Sequence, residues 1–237
     1  MTNRTPAQQL AENWNRVVDE VRQATEDAGR PVGDTVVIGV TKYVDAQVTG
    51  WLVDAGCQNL GENRPQLLWQ KADELALDDS VRWHVIGHLQ RNKVRRTLRY
   101  RPLIHSIDSP RLLKSVADES ANLSLESHVM LEVNISGEDA KTGMTPDQIR
   151  SVIGDLPSAG IKVVGIMAMA GWGTDSKAAQ AQFASARQFR DQLAAEFDLS
   201  LPHLSMGMSG DFVEAIAEGA TMVRIGSRLY EGVVDIG

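Results

Sequence analysis

The sequence is poor in cysteine, in long apolar runs and in net positive charge. Cys57 is the only cysteine among 237 residues, which excludes an intrachain disulfide and a multi-cysteine metal site. No apolar run reaches membrane-spanning length and no signal peptide opens the chain, so we expect a cytoplasmic protein without a membrane partner. A net charge of −7 argues against a nucleic-acid partner, although small phosphorylated ligands remain open.

The composition predicts one globular domain. With 43% hydrophobic and 23% charged residues, a chain of 237 residues can bury a sizeable core. No linker, low-complexity stretch or internal repeat marks a boundary, so we expect residues 1–237 to form a single domain. Nothing in the sequence indicates a large exposed apolar interface, and we expect a monomer.

Strand and helix patterns alternate along the chain. An amphipathic helix with Thr5 and Pro6 at its start precedes a continuous β-branched run that ends at Lys42, typical of a strand buried on both faces. Strands are predicted at 36–42, 57–61, 81–87, 103–107, 128–135, 161–168, 202–206 and 220–226. All but the last are followed by a helical pattern. This α/β order predicts a (β/α)8 TIM barrel with an extra N-terminal helix, and a doubly wound open sheet is the alternative.

Two small-residue segments near the chain end resemble a phosphate site. Ser209 lies in a Ser/Gly turn before a short helix, and Gly226 and Ser227 follow the eighth predicted strand. Loops after strands 7 and 8 are the habitual phosphate site of such barrels, because backbone N–H groups are unpaired there. Taken alone, each motif has a simpler interpretation: Ser209 as the N-cap of the short helix, and Gly226 as a turn residue.

Lys42 is the candidate nucleophile. At the end of an apolar strand it would lie at the barrel mouth, where partial desolvation lowers the pKa of an amine and leaves it able to attack an aldehyde. A lysine that reaches solvent at a strand end is the alternative. A lysine and a phosphate cup on one rim together indicate an aldehyde-bearing phosphate ester, of which pyridoxal 5′-phosphate (PLP) is the commonest.

Blocks across nearly the whole chain carry a family resemblance. They include V-T-K at 40–42, G-E-N at 61–63, W-H-V-I-G-H-L-Q-R-N-K at 83–93, G-I-M-A-M at 165–169, S-M-G-M-S at 205–209 and R-I-G-S at 224–227. In these blocks the chain resembles the YggS/PROSC family of PLP homeostasis (PLP-binding) proteins.

The resemblance implies a fold like the N-terminal barrel of alanine racemase, with PLP held as a Schiff base on Lys42. It implies phosphate contacts from Ser209, Gly226 and Ser227, and it places Arg224 beside the pyridine nitrogen. The matching blocks put Asn63, Met167 and Ser205 in the same cofactor site. A charged guanidinium at the ring nitrogen would make the ring a weaker electron sink than a carboxylate partner does.

Two functions fit these residues. A PLP carrier without turnover, serving intracellular PLP homeostasis and donating to apo PLP-dependent enzymes, is favoured over a PLP-dependent amino-acid racemase. Racemization needs a second proton donor on the face opposite the lysine. Tyr43 is a candidate next to Lys42 in the sequence, but its side chain should point away from Lys42 if both lie on one strand. The stretch from Arg91 to Arg101, with six basic residues, is interpreted as a solvated helix face, with an anion or partner surface as the alternative.

Overall fold

The structure is a computed structural model that describes residues 4–135, 142–156, 159–171 and 173–235. The strands within these ranges are β1 Val36–Val40, β2 Asn59–Glu62, β3 Arg82–Val85, β4 Leu103–Ile107, β5 Ser127–Glu132, β6 Ile161–Met167, β7 His203–Met208 and β8 Met222–Ile225. The helices are α1 Pro6–Asp27, α2 Ala46–Asp54, α3 Pro65–Leu75, α4 Val94–Thr97, α5 Pro110–Asn122, α6 Pro146–Gly154, α7 Ser176–Phe197 and α8 Phe212–Ala217. A helix therefore follows every strand from β1 to β7.

The strands close into a barrel in chain order. Each pairs in parallel with the next, and β8 pairs with β1 through a register that joins Val36 to Met222 and Ile38 to Arg224. This closure confirms the (β/α)8 prediction, because the alternative open sheet would leave β1 and β8 apart. The carboxyl ends of all eight strands consequently meet at one mouth.

The N-terminal helix α1 packs against the segment that follows β8 and holds it against the barrel. Thr5 forms a capping box with Gln8, and a buried apolar stripe faces the core. Asn13 donates hydrogen bonds to the carbonyls of Leu229 at 3.1 Å and Glu231 at 2.9 Å. These contacts hold the segment that directly follows Gly226 and Ser227.

Glycine permits a close approach between β6 and β7. A Cβ added at Gly165 would lie 2.0 Å from the carbonyl oxygen of His203, far inside contact distance. A side chain at position 165 would therefore separate two paired strands.

The basic stretch forms a surface segment built around α4. The Arg96 guanidinium stacks 4.4 Å from the centroid of the Trp69 ring, and Arg95 pairs with Glu119 at 2.8 Å. Both arginines are exposed, as expected for a solvated helix face. Across the described ranges, no helix has the length and apolar character needed to cross a membrane.

Candidate functional site

A cavity of about 290 Å³ opens at the carboxyl ends of the strands. Its wall includes six of the eight residues predicted for the cofactor site: Lys42, Asn63, Ser209, Arg224, Gly226 and Ser227. They come from the segments after β1 and β2, from the loop after β7, and from β8 and the turn after it. Barrel closure brings these distant segments onto one small surface.

Lys42 lies in a turn rather than on a strand. β1 ends at Val40, two residues earlier than predicted, and the Lys42 side chain is exposed. The expected desolvation of this amine is therefore wrong, because the turn carries it out of the apolar barrel. The expected orientation of Tyr43 is wrong for the same reason, since strand alternation has already stopped: the Tyr43 ring lines the cavity, with its centroid 4.7 Å from Lys42 Nζ.

Two loops meet on the side of the cavity where phosphate contacts were predicted. The backbone N–H of Gly226 donates to Ser209 Oγ at 3.2 Å, and Ser227 begins a 3₁₀ turn. A Cβ at Gly226 would lie 3.2 Å from a carbon of the Tyr43 ring and 3.3 Å from Val40 Cβ, so a side chain here would require these two neighbours to shift by a few tenths of an ångström. Because α8 has only six residues, the donors here are loop N–H groups and hydroxyls more than a helix dipole.

Arg224 is buried and oriented by fixed acceptors. Its Nη1 donates to the carbonyl oxygen of Ser205 at 2.8 Å and to Ser205 Oγ at 2.7 Å, and its Nη2 donates to the Ala168 carbonyl at 3.2 Å. Burial lowers the pKa of Arg224 to about 10, opposed by the carboxylates of Asp211 and Glu132. The guanidinium therefore stays charged at neutral pH.

Met167 and Ser205, which were also predicted for the site, are not among the residues that line this cavity. Met167 is buried at the end of β6, and Ser205 is fully buried within β7. The matching sequence blocks suggested them for the cofactor site, and in the structure their side chains pack into the interior. Ser205 is hydrogen-bonded to Arg224, which does line the cavity.

Two acidic residues near Arg224 escaped the sequence reasoning. Glu132, at the end of β5, accepts a hydrogen bond from Thr142 Oγ1 at 2.5 Å, and Asp211 Oδ1 accepts from the Met208 N–H at 2.6 Å. Burial raises the pKa of both carboxyls. Both lie at strand ends or in the loop after β7, so the rule that selected Lys42 and Asn63 could have found them.

A second group that sequence reasoning missed lies behind Lys42. Lys71 Nζ donates to the carbonyl oxygen of Thr41 at 2.7 Å and pairs with Glu62 Oε1. Thr41 Oγ1 donates to the same Glu62 oxygen at 2.7 Å. The Thr41 carbonyl belongs to the peptide that leads into Lys42, so this buried pair fixes the backbone from which the lysine projects. Its signal in the sequence is a Glu and a Lys nine residues apart, which is too general to single out.

The sequence matches a known domain family over almost its whole length. The model of the alanine racemase N-terminal domain covers residues 7–233. A pyridoxal phosphate homeostasis protein of Aquifex aeolicus is 36% identical over 222 residues, covering 92% of this chain and 96% of its own. The protein of the same name from Deinococcus radiodurans is 38% identical over 215 residues, with 90% and 97% covered.

A solved structure shares the architecture. PipY of Synechococcus elongatus, determined with PLP bound, superposes with a TM-score of 0.79 at 31% identity. The match covers 93% of this chain and 99% of PipY. The similarity therefore extends over nearly the whole of both chains.

Proposed function

This chain belongs to the pyridoxal phosphate homeostasis family, built on the alanine racemase N-terminal domain, and from that premise we propose that it binds PLP at the barrel mouth as a Schiff base on Lys42. The relatives from Aquifex aeolicus and Deinococcus radiodurans carry the homeostasis name, and PipY was solved with PLP bound. At 31–38% identity over most of the chain, the shared binding function is the direct inference.

The observation that carries the proposal is the set of donors around the cavity. Among the described residues, three of the five N–H groups of Arg224 donate to protein acceptors. Its Nε–H and one Nη2–H are left to bind a ligand. Ser227 Oγ likewise has no protein partner there, and Lys42 has neither a hydrogen bond nor an ion pair. An amine, a hydroxyl and a guanidinium on one wall fit an aldehyde, a phosphate and a pyridine nitrogen.

Each residue then has a role that follows from its chemistry. The hydroxyls of Ser209 and Ser227 donate to phosphate oxygens, and the Gly226 N–H exchanges Ser209 Oγ for a phosphate oxygen when the ligand binds. Asn63 lines the cavity wall together with Lys42. Arg224 donates to the ring nitrogen and keeps it unprotonated, because it is itself a permanent cation near that atom. When bound, PLP supplies an aldehyde that condenses with an amine, with loss of water, into a reversible C=N bond.

We propose that the protein stores and delivers PLP without turnover of its own. The exposure of Lys42 supports this role, because an imine open to water can be hydrolysed or exchanged with another amine. The recipients would be apo PLP-dependent enzymes, and the donor would be a monomer. Release of PLP from the loaded protein to an apo-enzyme at the rate of free PLP or faster supports delivery.

Racemase activity is the competing function. Tyr43 lines the cavity, but it directly follows Lys42 in the chain and its ring centroid lies 4.7 Å from Lys42 Nζ, so it approaches the cavity from the same segment as the lysine. Enantiomer turnover above that of free PLP, measured across several amino acids, would replace the carrier proposal.

Borohydride trapping tests the linkage. Reduction of the loaded protein should add PLP irreversibly to one peptide containing Lys42, and Lys42→Ala should lose the adduct and the imine absorbance. Lys114→Ala, at an exposed lysine on α5, is the matched control and should keep both. An adduct of equal stoichiometry in Lys42→Ala would overturn the assignment.

A further inference from the structure

A continuous row of hydrogen bonds crosses the barrel interior behind Arg224. Ser205 Oγ contacts His105 Nδ1 at 2.8 Å, and His105 Nε2 contacts His84 Nδ1 at 2.9 Å. His84 Nε2 contacts Asn59 Oδ1 at 3.1 Å, at the opposite end of the barrel. The row thus connects the cavity wall on β8 to the first residue of β2 through β7, β4 and β3.

The direction of every bond in this row follows from its two ends. A guanidinium only donates, so Ser205 Oγ accepts from Arg224 Nη1 at 2.7 Å. Among the described residues, the one other partner of this hydroxyl is His105 Nδ1, so the Ser205 proton must point to that nitrogen. In the reverse arrangement, a fully buried hydroxyl hydrogen would have no acceptor, which is costly.

The two histidines therefore share one tautomer. If His105 Nδ1 accepts from Ser205, then His105 Nε2–H donates to His84 Nδ1, and His84 Nε2–H donates to Asn59 Oδ1. Each ring uses one nitrogen as acceptor and one as donor, which requires both to be neutral.

The surroundings of the two rings favour the neutral form. Burial lowers the pKa of His84 to about 3, and the positive charge of Arg82, together with that of His203 whenever it is protonated, acts in the same direction. Burial also lowers the pKa of His105, helped by His84, Arg224, Arg82 and His203. A second positive charge beside Arg224 is thereby avoided, and the row stays available as acceptor for the guanidinium.

We propose that Ser205, His105 and His84 are positioning residues, which hold the Arg224 guanidinium as a fixed donor toward the cofactor ring through a one-way chain of hydrogen bonds. The cofactor half of this inference rests on the proposed PLP function. With Nη1 occupied by Ser205 and one Nη2–H by Ala168, the guanidinium cannot rotate without breaking three bonds. Its remaining two N–H groups therefore keep one orientation at the cavity.

The tautomers test the chain without any ligand. Nitrogen-15 NMR of the ligand-free protein should show His84 and His105 protonated at Nε2 alone, unchanged from neutral pH down to about pH 5, where an ordinary histidine takes up a proton. In Ser205→Ala, the His105 ring loses its donor and this single tautomer should give way to a mixture. Protonation at Nδ1 of His105 in the unaltered protein would overturn the inference.

PLP binding tests the positioning. We expect Ser205→Ala to weaken PLP binding about tenfold, as one lost hydrogen bond to a charged group would, with inorganic phosphate competing as before. The pH dependence of the bound-PLP absorbance should also change, because the ring nitrogen loses its fixed partner. Ser205→Thr, which keeps the hydroxyl, should restore both the PLP affinity and the pH dependence of the absorbance. The control His128→Gln, at a half-exposed histidine that takes no part in this row of hydrogen bonds, should alter neither property.

Two results would count against the positioning role. Unchanged PLP affinity in Ser205→Ala, or an equal loss for phosphate and PLP, would show that the chain is only structural. Failure of the unaltered protein to bind PLP would instead reject the proposed function. The histidine tautomers would still decide whether the chain of hydrogen bonds from Ser205 to Asn59 exists.

Discussion

The buried Glu62–Lys71 pair allows a sharp stability prediction. The side chains of Lys71 and Glu62 are 4% and 0% exposed, so removal of the cation leaves a carboxylate in the dry interior. We expect Lys71→Met to lower the free energy of unfolding by about 3–5 kcal/mol, the usual cost of an orphaned buried charge. For a chain of this size, that loss corresponds to a fall in Tm of roughly 6–20 °C.

The double variant separates the pair from its site. Replacing both partners, as Glu62→Leu with Lys71→Met, leaves no uncompensated charge, and apolar replacements of buried pairs are often neutral or stabilising. Two hydrogen bonds are still lost, from Thr41 Oγ1 to Glu62 and from Lys71 Nζ to the Thr41 carbonyl, so we expect a net cost of about 1–2 kcal/mol. The double variant should therefore be more stable than Lys71→Met alone.

Urea denaturation, followed by circular dichroism, measures these differences. The matched control is Lys114→Met, which breaks a 2.8 Å pair with Asp118 whose side chains are 74% and 57% exposed. That exposed pair should contribute about 0.5 kcal/mol or less. The reasoning fails if Lys71→Met costs no more than Lys114→Met, or if the double variant is less stable than Lys71→Met.

Two further predictions concern packing and pH. Gly165→Ala places a Cβ 2.0 Å from the His203 carbonyl oxygen and should lower the free energy of unfolding, measured in urea, by about 3 kcal/mol. The control Gly210→Ala has no atom within 4 Å of its Cβ and should be nearly neutral. Equal effects of the two substitutions would contradict the close approach of β6 and β7. Stability should fall as the pH drops from 6.5 towards 3, because unfolding frees His84, whose folded pKa is about 3, to bind a proton. His84→Asn should reduce the slope of urea midpoint against pH across that window, and an unchanged slope would exclude His84 as its source.

Much of the fold was predictable because its signals are local. Each strand of the barrel overlaps a predicted strand, since a buried parallel strand must be an apolar run and a following helix must be amphipathic. The ends of these runs marked the mouth and selected Lys42, Asn63, Ser209, Arg224, Gly226 and Ser227, which the structure brings to one cavity.

The errors at Lys42 and Tyr43 have a local cause as well. The apolar run continues beyond the hydrogen-bonded strand, because Thr41 is buried although β1 stops at Val40. A run of apolar residues indicates which side chains are buried, whereas a strand ends where its backbone hydrogen bonds to the neighbouring strands end. The side chains at 42 and 43 consequently follow a turn instead of strand alternation.

The sequence by itself determined the number and order of elements and the rim on which the polar residues lie. Only the tertiary structure decided that β8 closes on β1, that Lys71 supports the peptide before Lys42, and that Ser205 faces His105, 100 residues away along the chain. The physical reason is that periodicity reports which side of an element is buried. The partner of a buried polar atom depends on which distant strand closure brings within hydrogen-bonding distance.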